Sequence, residues 1–311
     1  MENLDTFLTI LYVTIDDLCK LHQLRLPVRR GPAPKLSVSE LITLVLFGQW
    51  ARFPSERAFY RFAERHLKAA FPTWPDHSQL VRQEHACVSL IEQVACLLAE
   101  QRPNADEELY HILDATGVPV RHIKRRGGGW LAGAADKGWC SRISSYMGFH
   151  VLMAVTSNGF LTGFGFSPAS VHDTRLAETF LGARAFPTPR FPSVGPRSLV
   201  PYVADRAFAA EALQLHWLHD YRAAVLTQPH SRTKVAEPSP RWRRFMHTIR
   251  QVIETVSGKL HLAFRLATDR LHTLVGFRAR LAAKVGLHNF CCWLNLQLGR
   301  PPMAFADLLD F

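Results

Sequence analysis

Metal-site and cofactor motifs are scarce in this 311-residue chain. Its six cysteines, Cys19, Cys87, Cys96, Cys140, Cys291 and Cys292, contain no C-x-x-C pair and no spacing of a zinc ligand set. They read as buried, reduced thiols of a cytosolic protein. Fifteen histidines are scattered without an H-E-x-x-H or His-x-Glu pattern, which argues against a zinc enzyme. Gly127-Gly128-Gly129 lacks Walker or Rossmann spacing, so no nucleotide cofactor is expected. The start, Met1-Glu2-Asn3-Leu4-Asp5, has neither the positive region nor the long apolar core of a signal peptide. The longest apolar stretch, around Leu41 to Ala51, is too short to span a bilayer. No membrane association is expected. No internal repeat is evident.

Acidic residues are missing from one long segment. Residues 229–300 hold 13 basic side chains against 3 acidic ones, net +10, out of +11 for the whole chain. Residues 1–100 balance at 11 and 11, and residues 101–228 hold 13 and 10. Excess charge confined to one segment is the electrostatic footprint of a polyanion partner, and nucleic acid is the expected one.

Residues 1–100 read as helical. Leu4, Phe7, Leu8, Leu11 and Ile15 recur at helical spacing. Ser37-Val38-Ser39-Glu40 is a capping box before the apolar run to Trp50. A further helix begins at Ser55, and a long one spans about 78–98. Such a set suits a helix-turn-helix DNA reader, a plain bundle or a dimerisation module equally. Residues 101–106 read as a linker. Strands are expected at 108–114, 145–156 and 160–166, with Asn158-Gly159 a hairpin turn between the last two. Ser170 is expected to cap a helix through about Leu181, with Asp173 as a structural residue of its first turn. A proline-rich loop at 187–196 leads to a strand ending at Asp205. A helix to Asp220, a strand to Gln228, a loop at 229–240 and helix from Arg241 to about Leu298 follow. This order predicts an α/β fold with a mixed sheet.

Three acids stand out. Asp114 closes the apolar run Leu109 to Leu113, and Asp205 closes Leu199 to Ala204. Glu254 lies on an amphipathic helix, four residues after Arg250. Each has an ordinary explanation: an Asx-turn for Asp114, an N-cap for Asp205, a surface Arg–Glu pair for Glu254. Together, two strand-end aspartates and a helical glutamate can meet at one spot. Clustered carboxylates need divalent cations, and hard oxygen ligands select Mg²⁺ or Mn²⁺. Paired ions of that kind drive in-line attack at phosphodiesters. The loop 121–142 adds Arg121, Lys124, Arg125, Arg126, Lys137 and Arg142 with Trp130 and Trp139 between them. Basic residues interleaved with aromatics suit a nucleic-acid contact, and a solvated loop is the alternative.

These residues resemble the DDE transposases of bacterial insertion sequences. Leu113-Asp114-Ala115-Thr116-Gly117-Val118-Pro119-Val120 is similar to the segment around the family's first aspartate, and Val203-Ala204-Asp205-Arg206-Ala207-Phe208 to that around its second. His247-x₂-Arg250-x₃-Glu254 resembles its Tyr-x₂-Arg-x₃-Glu-x₆-Lys signature. Tyr146-x-Gly148-Phe149-His150, Ser167 to Asp173, and Phe277 to Lys284 with Asn289 and Asn295 resemble three further segments. The likeness spans about residues 36–300. His247 and His261 stand where the family has tyrosine and lysine, and Ala204 and Arg206 flank the second aspartate differently.

The resemblance implies an RNase H-like mixed sheet flanked by helices and preceded by a small all-α domain. Domains are expected at 1–100 (helical, for DNA binding or dimerisation) and 107–300 (catalytic, with a helical C-terminal end), with a tail at 301–311. It implies two Mg²⁺ (or Mn²⁺) ions per site on Asp114, Asp205 and Glu254. Cleavage at element ends and strand transfer into target DNA would follow. The expected DNA contacts are Lys124, Arg125, Arg126, Lys137, Arg142, Arg243, His247, Arg250, Lys259, Arg278 and Lys284. Partners would be double-stranded DNA, at terminal inverted repeats and target, and a second copy of the chain. A cytoplasmic, nucleoid-associated protein of bacteria is expected. A catalytically inactive DNA-binding derivative and a structure-selective nuclease with the same core are the alternatives.

Overall fold

The computed structural model describes residues 3–27, 33–103, 108–124, 131–140, 142–186, 200–228, 239–269, 271–306 and 308. Two compact units emerge. One combines Met1–Leu98 with Lys259–Phe311, and the other is Ala99–Gly258. This division differs from the expected one, because the C-terminal helical end groups with the N-terminal helices.

The helical unit contains α1 (Leu4–Leu21), α2 (Val38–Phe47), α3 (Glu56–His66), α4 (His77–Ala86) and α5 (Val88–Glu100, whose last two residues fall across the division). The capping box forms as expected: Ser37 accepts from the Glu40 amide while Glu40 accepts from the Ser37 amide. The single helix expected at 78–98 is two helices instead. Asp76 caps α4 with its own capping box, and α4 ends at Cys87, whose amide turns back to Gln83 and Glu84.

The later helix of this unit, α9 (Leu274–Gln297), is apolar or buried on almost every side. Its Phe290 meets Phe7 edge-on, with ring centroids 5.4 Å apart. A helix buried all round must pair its own cations. Lys284, expected at a DNA surface, is therefore a correction. It is 2% exposed, and its Nζ meets the Phe264 carbonyl at 2.6 Å, Gln49 Oε1 at 3.1 Å and Asp269 at 3.0 Å. Arg280, one turn earlier, pairs with Glu56 and Glu84. Arg278, also expected to contact DNA, is half-buried and is held by Glu92 through Nε at 3.1 Å and Nη2 at 2.8 Å. Within the expected 301–311 tail, Phe305 and Leu308 are buried. No described helix is long and apolar enough to cross a membrane.

The sheet unit is built on β1 (His111–Arg121), β2 (Asp136–Cys140), β3 (Ser144–Thr156), β4 (Leu161–Pro168), β5 (Tyr202–Ala204) and β6 (Val225–Thr227). Strand order is β2-β3-β1-β5-β6, with β4 also on β3. The 13 residues of β3 are long enough to share one edge: β2 pairs with Ser144–Gly148 and β4 with Phe149–Val155. β1 lies antiparallel on the other edge, while β5 and β6 run parallel to β1. A mixed sheet of this order, with α6 (Asp173–Ala185) and α7 (Glu211–Tyr221) between its later strands and α8 (Pro240–Leu262) after them, is the expected RNase H-like architecture. The Asn158-Gly159 turn joins β3 to β4, with Gly159 at φ 89°.

Alternation divides the sheet cleanly. Leu113, Leu152, Ala154, Tyr202 and Ala204 face one way, onto Leu176, Ala177 and Phe180 of α6 and Trp217 of α7. Ile112 and Val203 face the other way, toward Met246, Ile249 and Ile253 of α8. One local expectation fails. His172, not Ser170, caps α6, because its ring accepts the Thr174 amide. The expected loops at 187–196 and 229–240 lie largely outside the described residues.

Lys284→Met tests the buried assignment. The variant is expected to lose about 2–3 kcal/mol of stability in urea unfolding, because Asp269 and the Phe264 carbonyl lose their cation. The salt dependence of DNA binding is expected to stay unchanged. A stable variant with a shallower salt slope would restore Lys284 to the DNA surface.

Candidate active site

Sheet register alone puts two of the acids side by side. β1 and β5 pair as His111 with Tyr202, Ile112 with Val203 and Leu113 with Ala204. One more step brings Asp114 level with Asp205. Residues level on adjacent parallel strands share a face, and strands lie about 4.8 Å apart. That face is the α8 face, since both acids alternate in step with Ile112 and Val203. Asp114 does not end its strand, as the sequence suggested. β1 runs on to Arg121 because β3 continues beside it. What ends at Asp114 is the parallel pairing, and this opens the space next to its side chain.

α8 supplies the third acid. Met246, Ile249, Ile253, Val256 and Leu260 form its buried stripe. Two contacts set its position along β1. Tyr110, just before the strand, meets the Phe245 ring at 5.2 Å, and Ser257 Oγ donates to Thr116 Oγ1 at 3.3 Å. From Tyr110 to Thr116 an extended chain rises about 20 Å, and from Phe245 to Ser257 a helix rises about 18 Å. The two elements therefore run in step. Asp114 lies about 13 Å beyond Tyr110, and the same rise along α8 from Phe245 ends near residue 254. Glu254 is level with the aspartates for this reason.

The three acids border one cleft of about 60 Å³, lined also by Ile112, Leu113, Val203, Ala204, Met246, Ile249, Arg250 and Ile253. It has room for a few waters or small cations and not for a nucleotide base. Burial, and then the neighbouring Asp205, push the Asp114 carboxyl up to about 7. Asp205 is raised too, mainly by burial, although it accepts the Ala207 amide at 2.8 Å. That amide bond is the N-cap expected from the sequence, here on a short 3₁₀ turn, Arg206–Phe208. Arg250 lowers both values, as the smallest influence on each.

Glu254 borders the cleft but does not enter it. Its side chain is 69% exposed and stands 4.0 Å from Arg250 Nε. Among the described residues no three His, Cys, Asp or Glu side chains are grouped closely enough to hold a metal ion. The donor chemistry still fits a hard divalent cation: two neighbouring carboxylates, on β1 and at the end of β5, Asp114 raised by burial and by Asp205, Asp205 by burial and by Asp173. The third needs only a rotamer change of an exposed side chain, a motion of picoseconds to nanoseconds.

Sequence reasoning missed a fourth acid. Asp173, read as part of a helix cap, raises both Asp114 and Asp205 by its charge. It opens α6 and pairs with His150 Nδ1 at 3.1 Å, which raises that histidine in turn. The adjacent His150 and His172-Asp173 in the resembling motifs were the available signal.

The expected DNA contacts scatter. Arg243, His247 and Arg250 are exposed along α8, with His247 beside Gln251 at 3.1 Å. Lys124 and Lys137 are exposed, and Trp139 is 66% exposed on β2. Arg142 is exposed, and its Nη2 donates to Thr116 Oγ1 at 3.3 Å and to the Gly117 carbonyl at 3.1 Å. Lys259 lies over the Phe305 ring, 5.5 Å from its centroid, within the helical unit. Arg125 and Arg126 lie outside the described residues.

A sheet of this order with acids at the end of its parallel pairing is that of a nuclease-type α/β core. The chain belongs to the transposase DDE domain family, whose model matches residues 109–290. Among individually curated proteins no match was found.

The raised aspartate generates a pH prediction. In metal-free buffer, unfolded Asp114 ionises near pH 4, while the folded protein keeps the proton to about 7. Between those values the folded state binds more protons, so stability falls as pH rises and is level above the upper value. Asp114→Asn is expected to exceed wild type by about 2 kcal/mol at pH 8 and to equal it near pH 4, in urea unfolding with chelator. Millimolar Mg²⁺ is expected to cancel the advantage. An advantage over wild type no larger at pH 8 than at pH 4 would contradict the raised Asp114 carboxyl.

Proposed function

We propose that this chain is an active transposase that cuts DNA at the ends of a mobile element and joins them to target DNA. The observation that carries the proposal is the placement of Asp114 and Asp205, level on adjacent strands, with Glu254 at the same height on α8. Asp114 and Asp205 would hold the divalent cations, Mg²⁺ or Mn²⁺, and Glu254 would complete the set on turning inward. Bound there, two such ions supply an activated water and charge stabilisation at the leaving 3′ oxygen. The chain's own residues bind and orient. Arg243, His247 and Arg250 form a polar stripe beside the cleft, suited to the phosphates that flank a scissile bond. Lys124, Lys137 and Arg142 suit a second run of phosphates, and Trp139 suits a base or sugar face.

DNA contact by the helical unit is supported by α3, whose Arg57, Arg61 and Arg65 recur every four residues on an exposed face followed by Lys68. Net balance over residues 1–100 hides this stripe. A dimer is proposed because two element ends must be held at once. Action on DNA in a bacterial cell would place the protein at the nucleoid.

A second reading is a DNA-binding protein that has lost its chemistry, and the outward Glu254 favours it. One assay decides. On duplexes carrying the terminal inverted repeats, wild type with Mg²⁺ is expected to cleave and to join. Asp114→Asn is expected to fall by about a thousandfold or more, while its DNA affinity in chelator stays within about twofold. Equal behaviour of the two proteins would exclude catalysis by these acids. Cutting without joining would identify a nuclease.

A further inference from the structure

Apolar packing alone does not fix the height of α8. Met246, Ile249 and Ile253 meet Ile112 and Val203 through non-directional contacts. A slip of one residue shifts a helix by about 1.5 Å and turns it by about 100°, enough to carry Glu254 away from the aspartates. A directional contact is needed, and Thr116 provides it. Thr116 follows Asp114 by two residues, shares its face of the sheet, and is 9% exposed. Its Oγ1 accepts from Ser257 Oγ at 3.3 Å and from Arg142 Nη2 at 3.3 Å. A hydroxyl oxygen has two lone pairs, so both donors fit. Ser257 comes three residues after Glu254, nearly one turn along α8. Arg142 belongs to the connection between β2 and β3. One buried oxygen thus ties the strand of the first acid, the helix of the third and the basic hairpin.

We propose that Thr116 is a positioning residue: it holds α8 in step with β1 so that Glu254 remains within reach of the cation held by Asp114 and Asp205. This rests on the metal-dependent reading above, and its test separates the two. Thr116→Val keeps the shape and removes the acceptor, while Thr116→Ser restores it. Ser257→Ala removes the donor from the half-buried side of the helix, so it guards against a fold defect at the buried site. Three quantities are measured: amide exchange along residues 250–257 without metal, Mn²⁺ affinity by calorimetry, and cleavage rate.

Thr116→Val and Ser257→Ala are expected to speed exchange and to weaken Mn²⁺ binding by about tenfold each, the scale of a lost supporting contact at a metal site. Cleavage should slow by about the same factor with DNA affinity in chelator unchanged, and Thr116→Ser should recover all three to within about twofold. Wild-type exchange and Mn²⁺ affinity in Thr116→Val would overturn the proposal. So would a serine variant as impaired as the valine one, which would show a packing role. A wild-type protein that binds no Mn²⁺ would sink the metal-dependent reading instead, and amide exchange would still judge the tether.

Discussion

The burial of two neighbouring carboxylates is the constraint on which the cleft of the sheet unit depends. Parallel pairing of β1 with β5 leaves no freedom in where Asp114 and Asp205 go, because the ladder that ends at Leu113 and Ala204 delivers the next residues to the same height and face. Burial there, and then the charge of Asp205, raise the Asp114 carboxyl to about 7. A cation would relieve that repulsion, while an apolar or hydrogen-bonded substitute would stabilise the apo-protein better. On the proposed reading, function and stability oppose each other at this pair, as at other sites built for charge.

Everything else near the cleft serves to hold that pair or to complete it. β3 carries β1 past the point where β5 stops, which opens the cleft without unpairing the strand. The α6 and α7 face packs Leu113 and Ala204, so the backbone beneath the two acids is anchored from behind. On the open side, α8 offers an apolar stripe to the sheet and a polar one to solvent. Its third acid is left on an exposed side chain that can turn. On the proposed reading, two acids over a hard core and a movable third would suit a site that admits a bulky phosphodiester.

Much of this was legible in the sequence. The amphipathic helix that bears Glu254, the Asn158-Gly159 turn and the Ser37–Glu40 box all follow from local chemistry, and all form. What could not be read was what depends on distant partners. Nothing near Asp114 says that its strand continues, since that is decided by the length of β3. Ser170 and His172 both offer an acceptor to the start of α6, and local spacing does not choose between them. Lys284 looks like a surface cation until α9 is known to be buried, after which Asp269 and Gln49 become its partners. Asp173 reads as a structural first-turn residue because its influence on Asp114 and Asp205 arises only where the β4–α6 junction brings it to them.

The central claim is that the cleft between β1, β5 and α8 is a divalent-cation site. Anomalous diffraction from crystals grown with Mn²⁺ tests it most directly. The account predicts a peak shared by Asp114 and Asp205, with the Glu254 carboxylate turned inward toward it. A chain that leaves the two aspartates without a peak at saturating Mn²⁺, or gathers the ion on other residues, would contradict it.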